Sequence, residues 1–330
     1  MRLPIPAFVI SLLLLAALPA QAQMLKDAAL DALFAAERFD ELDRAGRQRQ
    51  AAQADDPQAL LAVALASLRG SDGTRRQAVI TQAEVCVQRQ PRAAACHYAL
   101  GVVLGIQAAS EGLFKLAAST GRVKEALLEA MTLEPGWYAA RSAVVQVYAL
   151  VPSMMGGSTA KALETARAAS RPEEIKALEA RLALQDGKYE QVLEVLAGLR
   201  PGRDSALAAD IDGWGRGAAF GLVNDGKAEK ARPYFERVAR ERPETAYAVF
   251  GLGRVASETG APAEAVRFFE QAARLKGADE LPIDYRAGIA LRTLGRTDAA
   301  RDAFRRFIAT GKGAKPNLDD ARKRFDQLGA

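Results

Sequence analysis

Histidine is almost missing from this chain of 330 residues; the one present is His97. Cysteine is nearly as scarce, with 2 residues, and aromatic side chains make up only 6%. A single imidazole excludes every site that needs two, including histidine-rich zinc sites and the HExxH arrangement. Two cysteines alone build neither an iron–sulfur cluster nor a cysteine-rich zinc knot. Beyond the N-terminal region, no stretch approaches the roughly 18 uninterrupted apolar residues of a membrane-spanning helix. Blocks of like charge are missing as well. The formal charge is +5, and bases are interleaved with acids, as in Arg167-Ala168-Ala169-Ser170-Arg171-Pro172-Glu173-Glu174. With no basic block and no aromatic–basic alternation, nucleic-acid binding is not expected.

What the chain has in abundance is alanine, about a fifth of all residues. Alanine is the strongest helix former and a poor strand former, so a β-sandwich or barrel is disfavoured. With 49% hydrophobic and 26% charged residues, the composition is that of a folded protein.

Residues 1–22 read as an export signal. Arg2 supplies the positive start, Phe8 to Leu18 an apolar core, and Ala20-Gln21-Ala22 a small-x-small cleavage site. Cleavage is expected after Ala22, leaving Gln23 first and no stable membrane insertion afterwards. Arginine far exceeds lysine and asparagine is nearly absent, as in GC-rich bacterial genomes. Together these features predict a Gram-negative periplasmic protein. In that oxidising space Cys86 and Cys96, on either side of Pro91, are expected to form a disulfide worth about 3 kcal/mol. The alternative is two buried thiols in helix contacts.

The chain also repeats. Gly226, Gly260 and Gly295 stand 34 and 35 residues apart. Five residues after each comes Ala231, Ala265 or Ala300, and four further on Phe235, Phe269 or Phe304. Apolar residues recur at three- and four-residue spacing, which marks helices. The pattern has a physical logic: the small residue lets paired helices approach, the ring fills the gap, and glycine permits a left-handed turn.

These residues resemble the tetratricopeptide repeat family, whose unit is a 34-residue helix-turn-helix. The resemblance is in register over 212–313. It is looser upstream, at Gly187-Lys188-Tyr189-Glu190, at Glu129 to Pro135, and in helix pairs over 24–57, 58–91 and 137–169. Long helices out of register are expected over 94–135, and Pro152 to Ser158 replaces the usual tight turn. The implied fold is an all-α solenoid of seven to eight helical hairpins. Its organisation is expected as degenerate hairpins over 23–203, three well-matched units over 204–313, and a capping helix over 314–330. Asn317 or Asp319 would cap that last helix, with Leu318, Ala321, Phe325 and Leu328 as its apolar stripe.

Candidate catalytic motifs are few. Ser158-Thr159-Ala160-Lys161 has the Ser-x-x-Lys form of penicillin-recognising enzymes, but no Ser-Asp-Asn or Lys-Thr-Gly partner accompanies it. Ser158 is better read as a helix N-cap. Asp210-Ile211-Asp212-Gly213 is too short for a calcium loop and lacks its later glutamate. Gly156-Gly157 with Lys161 is not a phosphate-binding loop. Met131, Met154 and Met155 read as packing residues, and His97 as a capping or packing histidine. No nucleophile–base–orienter set is found, so no catalysis, metal or cofactor is expected.

What remains is surface. The resemblance implies that the first helix of each unit lines a concave groove. It places Arg216, Phe220 and Asn224 there from the first clear unit, Tyr247, Phe250 and Arg254 from the second, and Tyr285, Ile289 and Arg292 from the third. The expected partner is another periplasmic protein or an extended peptide whose carboxylates meet the arginines. The bland alternative is that the aromatics pack inside the array and the arginines are merely solvated. The Lys/Asn carboxylate clamp known in the family is not reproduced. A second functional reading comes from similarity to helical-repeat proteins associated with TRAP-type solute transporters. It would make the chain a ligand-handling accessory with a pore or pocket beside Met154 and Met155.

Overall fold

The computed structural model describes residues 23–70 and 72–329. The expected export signal, 1–22, lies outside the described residues. Seventeen α-helices and no strand occur among those residues. They form eight antiparallel pairs and one terminal helix. The first four pairs are α1 (Ala28–Ala35) with α2 (Phe39–Ala52), α3 (Pro57–Ser67) with α4 (Gly73–Arg89), α5 (Ala94–Ser110) with α6 (Leu113–Leu133), and α7 (Tyr138–Leu150) with α8 (Thr159–Arg167). Then come α9 (Pro172–Gln185) with α10 (Tyr189–Ala197), α11 (Ser205–Asn224) with α12 (Ala228–Glu241), α13 (Ala246–Glu258) with α14 (Pro262–Ala272), and α15 (Ile283–Thr293) with α16 (Thr297–Thr310). The last helix is α17 (Lys315–Gln327).

Local chemistry sets the helix starts. Side chains of Asp27, Asp56, Asp72, Ser158 and Asp204 accept the free N–H groups of α1, α3, α4, α8 and α11. Pro57, Pro172 and Pro262 stand in the first turn of α3, α9 and α14, where a missing N–H costs nothing. The three repeat glycines adopt positive φ, +72° at Gly226, +79° at Gly260 and +72° at Gly295, and each ends the turn between paired helices. The terminal helix departs from expectation. Ala314 occupies the N-cap without a side-chain bond, and Asn317 and Asp319 lie inside α17. Its stripe is as expected, with Ala321 buried and Leu318, Phe325 and Leu328 packed on Phe304 and Phe307.

The first helix α3 touches α5, and α7, α9, α11, α13 and α15 touch one another in succession; these first helices form the inner layer. Accordingly α3 is buried on every side from Ala59 to Ser67. A second helix such as α12 buries only a stripe: Ala228, Ala231, Tyr234, Phe235 and Val238. The fully buried rings of Phe235, Phe269 and Phe304 fill the repeat interfaces. A Cβ added to Gly253 would lie 2.6 Å from the Phe269 ring, and one added to Gly288 2.7 Å from Phe304. Small residues are therefore required opposite each phenylalanine.

The solenoid curls back on itself. α1 packs against α11, and Lys276 Nζ donates to the Ala36 carbonyl at 3.2 Å. Arg69 pairs with Glu280. Ahead of α1, residues 23–26 run as a strap. Trp137 Nε1 donates to the Gln23 carbonyl at 3.0 Å, Met24 N–H to Ser205 Oγ at 3.0 Å, and Leu25 N–H to Asp31 Oδ1 at 3.0 Å. Leu25 is fully buried. Cys86, near the end of α4, and Cys96, in the first turn of α5, are bonded, with Cα atoms 5.6 Å apart.

Candidate functional site

The residues expected to line the groove fall into two groups. The aromatics are taken up in packing. Phe220 lies 5.0 Å from Phe235 and 6.0 Å from Phe250, and Phe250 lies 5.6 Å from Phe269. Tyr247 is buried, and its hydroxyl donates to Asp212 Oδ1 at 2.7 Å. Tyr285 is buried, and its hydroxyl donates to Asp320 Oδ2 at 2.9 Å. Ile289 is partly buried against the last core cluster. The polar members remain nearer the surface. Arg216 stacks on Tyr247, 4.9 Å from its ring centre, and both line a cleft of about 310 Å³ where the solenoid closes. Asn224 and Arg292 are exposed.

Arg254 has a different environment. It is only 8% exposed, and its Nη2 donates to Asn224 Oδ1 at 3.0 Å, with Glu258 3.6 Å away. Its Nε–H is buried without a partner among the described residues. On the next inner helix, Arg286 likewise has a buried, unpartnered Nε–H and forms no ion pair among the described residues. Burial, followed by the Arg286 charge, lowers the Arg254 guanidinium to about 10. Two guanidinium groups are thus held near each other with hydrogen-bond donors left over. Glu258 offsets only one of the two positive charges. Arg286 escaped the sequence reading because it stands one position past Tyr285, off the repeat positions used for mapping.

A second polar cluster was not foreseen at all. On α7, Tyr138, Ser142 and Gln146 recur every fourth residue on one face. Tyr138 donates to Asp210 Oδ2 at 2.9 Å, Ser142 Oγ to the same oxygen at 2.5 Å, and Gln146 Nε2 to Ser142 Oγ at 3.2 Å. Asp210 belongs to α11 and is partly exposed, yet burial raises its carboxyl to about 6 against the pull of these donors. Arg181 of α9, 8% exposed, and Tyr98 of α5, 6% exposed, both feel the Asp210 charge. Neither side chain has a hydrogen-bond partner among the described residues. The only sequence signal was Asp210 itself, in a tetrapeptide that fails as a calcium loop. Asp210 and Asp212 in fact serve different neighbours from one helix, the latter binding Tyr247 and Arg242.

The other motifs resolve simply. Ser158 Oγ accepts from the Lys161 N–H at 3.2 Å, as an N-cap. His97 is buried, with Nε2 2.9 Å from the Pro91 carbonyl. Met154 is 91% exposed and Met155 partly buried, beside a short 3₁₀ turn over Ser153–Met155. Four surface clefts among the described residues are lined by other side chains. Among those residues no group of three or more His, Cys, Asp or Glu is placed to hold a metal. No helix among them is long and apolar enough to cross a membrane.

Comparison with known proteins agrees with this architecture. The tetratricopeptide repeat profile matches residues 284–310, the α15–α16 pair. The human IFIT1 dimer with PPP-AAAA is similar in structure, with a TM-score of 0.52 and 13% identity over 83% of this chain and 64% of that one. The APC/C hetero-tetramer Cut9–Hcn1 is similar too, with a TM-score of 0.52 and 13% identity over 91% of this chain and 54% of that one. The chain therefore spans less than two thirds of either. No curated protein matches in sequence. The fold is an α-solenoid of stacked helical hairpins. One tetratricopeptide repeat is shown, over residues 284–310, within a fold like that of solved tetratricopeptide solenoids.

Proposed function

We propose that the protein is a periplasmic adaptor that binds an extended, carboxylate-bearing segment of another protein and performs no catalysis. Tetratricopeptide-repeat proteins bind other proteins or peptides, which supports a binding role. The observation that carries the finer reading is the Arg254–Arg286 pair. Buried polar groups are nearly always satisfied, and an arginine with unpaired donors beside a second arginine calls for an anion. With Glu258 nearby, the pair keeps about one net positive charge, which suits a monoanionic carboxylate. Asn224, held by Arg254 through its oxygen, has its amide hydrogens left to donate. Export rests on the signal over 1–22 and fits the bonded cysteine pair.

Photo-crosslinking in intact cells from a probe at Arg292, followed by mass spectrometry, tests this reading. It predicts a defined periplasmic partner whose crosslinked segment contains aspartate or glutamate. It also predicts loss of the crosslink in Arg254→Gln, Arg286→Gln protein that stays folded. An unchanged crosslink in that variant would overturn it.

A second reading has one observation in its favour. The Asp210 cluster joins the inner helices α7 and α11 through polar groups, where a ligand-handling accessory of a TRAP-type transporter would place its ligand. Co-purification with a solute-binding protein would support it, and its absence from envelope crosslinks would count against it.

A further inference from the structure

Large apolar side chains that face solvent are few in this fold, and most of them are gathered at two turns. Leu113 is 79% exposed and Phe114 95%, at the start of α6; Leu150, 59% exposed, and Met154, 91%, stand where α7 turns into α8. Ala117 and Ala118, one turn further along α6, are exposed as well. The two turns belong to successive hairpins, and α6 packs on α7. Helix lengths explain why α6 stays uncovered there. It runs for 21 residues against 13 in α7, so it overhangs its neighbour by roughly 10 Å. The α7–α8 turn meets it at Lys124, whose Nζ lies 3.1 Å from where a Cβ on Gly156 would stand. Leu113 and Ala117 continue the Lys124 stripe of α6 beyond that contact.

Exposed apolar side chains clustered at one edge mark an interaction surface, and the charges around them indicate the partner. Lys115 follows Phe114, Lys124 reaches the α7–α8 turn, and Lys161 stands in the first turn of α8, 5.9 Å from the Tyr148 ring centre. None of the three pairs with a carboxylate among the described residues. Of the nearby acids, Glu111 accepts from the Gln107 amide. Glu125 lies about 16 Å down α6 from Phe114, and Glu164 nearly one turn further into α8 than Lys161. Unpaired lysines around apolar side chains complement a partner that is anionic at its surface and apolar beneath. A peptide or helix would need a groove, and none of the four clefts described above is lined by these residues.

We propose that this edge docks the protein on an anionic lipid surface. Leu113, Phe114 and Met154 enter the boundary between headgroups and acyl chains, while Lys115, Lys124 and Lys161 meet the headgroup phosphates. The attachment is peripheral and reversible, since a few side chains enter and no helix spans. The surface is separate from the arginine pair on α13 and α15 and does not depend on the adaptor reading.

Flotation with vesicles tests the surface, using phosphatidylglycerol-containing vesicles and, alongside, pure phosphatidylcholine. The parent is compared with a Leu113→Ser, Phe114→Ser double variant. Both positions are exposed, so the variant should keep the parent's Tm. The two proteins share one N-terminus, so any binding by the apolar run over 8–18 is common to both. The double variant should bind the anionic vesicles about tenfold or more weakly than the parent. Added salt should weaken the parent's binding, and Lys115→Glu with Lys161→Glu should reduce that salt dependence. Phe114→Trp adds an exposed reporter to the buried Trp137 and Trp214, and its emission should shift to the blue on anionic vesicles. The proposal is overturned if the parent does not float with anionic vesicles, if the double variant floats equally well, or if the parent prefers phosphatidylcholine. Unchanged emission from the Phe114→Trp protein on those vesicles would also overturn it. So would a parent that sediments as a dimer while the double variant is a monomer, which would assign the edge to a second copy.

Discussion

Tyr138 donates its phenolic hydrogen to Asp210 at 2.9 Å, although the two residues stand 72 positions apart. The bond joins α7 to α11 across the inner layer. It also carries a pH signature. Burial raises Asp210 from 3.8 to about 6, so the folded state holds this proton more tightly than the unfolded one. The resulting stabilisation is full below pH 3.8 and is lost as pH rises toward 6. Asp210→Asn should therefore gain stability over the parent at neutral pH, by up to about 3 kcal/mol, and gain little in acid. Urea unfolding of both proteins at acid and neutral pH checks this; equal differences at the two values would contradict it.

Gly253 and Phe269 define the repeat packing, with no room for a methyl group between them. Gly253→Ala should cost about 1–3 kcal/mol through overpacking. Gly253→Ala with Phe269→Leu should cost less than the sum of the two single changes, because the smaller side chain relieves the clash. Denaturation midpoints of the four proteins in this cycle measure the coupling. Strict additivity would show that the ring and the glycine are independent.

The strap at residues 23–26 gives a third expectation. Leu25 is fully buried, so Leu25→Ala should cost about 2–5 kcal/mol. N-terminal sequencing of the protein recovered from cells should read from Gln23, the residue that follows the expected cleavage site. A start elsewhere would refute the cleavage expectation without touching the strap.

Denatured but unreduced protein should show no reactive thiol, since Cys86 and Cys96 are bonded. Replacing both with alanine should lower stability by about 3 kcal/mol. Two labelled thiols in the parent protein would contradict the bond.

Much of the fold was legible in the sequence because it is written locally. Gly226, Gly260 and Gly295 mark turns through their own backbone freedom, and Ser158 caps α8 within four residues of chain. The expectation at Asn317 and Asp319 failed because Ala314 starts the helix, and a good capping residue type does not ensure a capping position. The two polar sites were hidden for a different reason. Arg254 was visible as a repeat position, but Arg286 was not, and their significance lies in what each lacks. Asp210 and Tyr138 come from two hairpins, 72 residues apart, and meet only once the hairpins have stacked. Local periodicity has no access to that stacking, nor to the return of α1 onto α11.

On the adaptor reading, the inner face of the last repeats holds a carboxylate through Arg254 and Arg286. The most direct measurement is a titration of the crosslinked partner segment, made as a synthetic peptide, against the parent protein and Arg286→Gln. A matched peptide with its acids changed to amides is titrated alongside. Either change alone should weaken binding about tenfold or more, and both together should cost little beyond one. Equal affinity of the acidic and amidated peptides for the parent protein would contradict it.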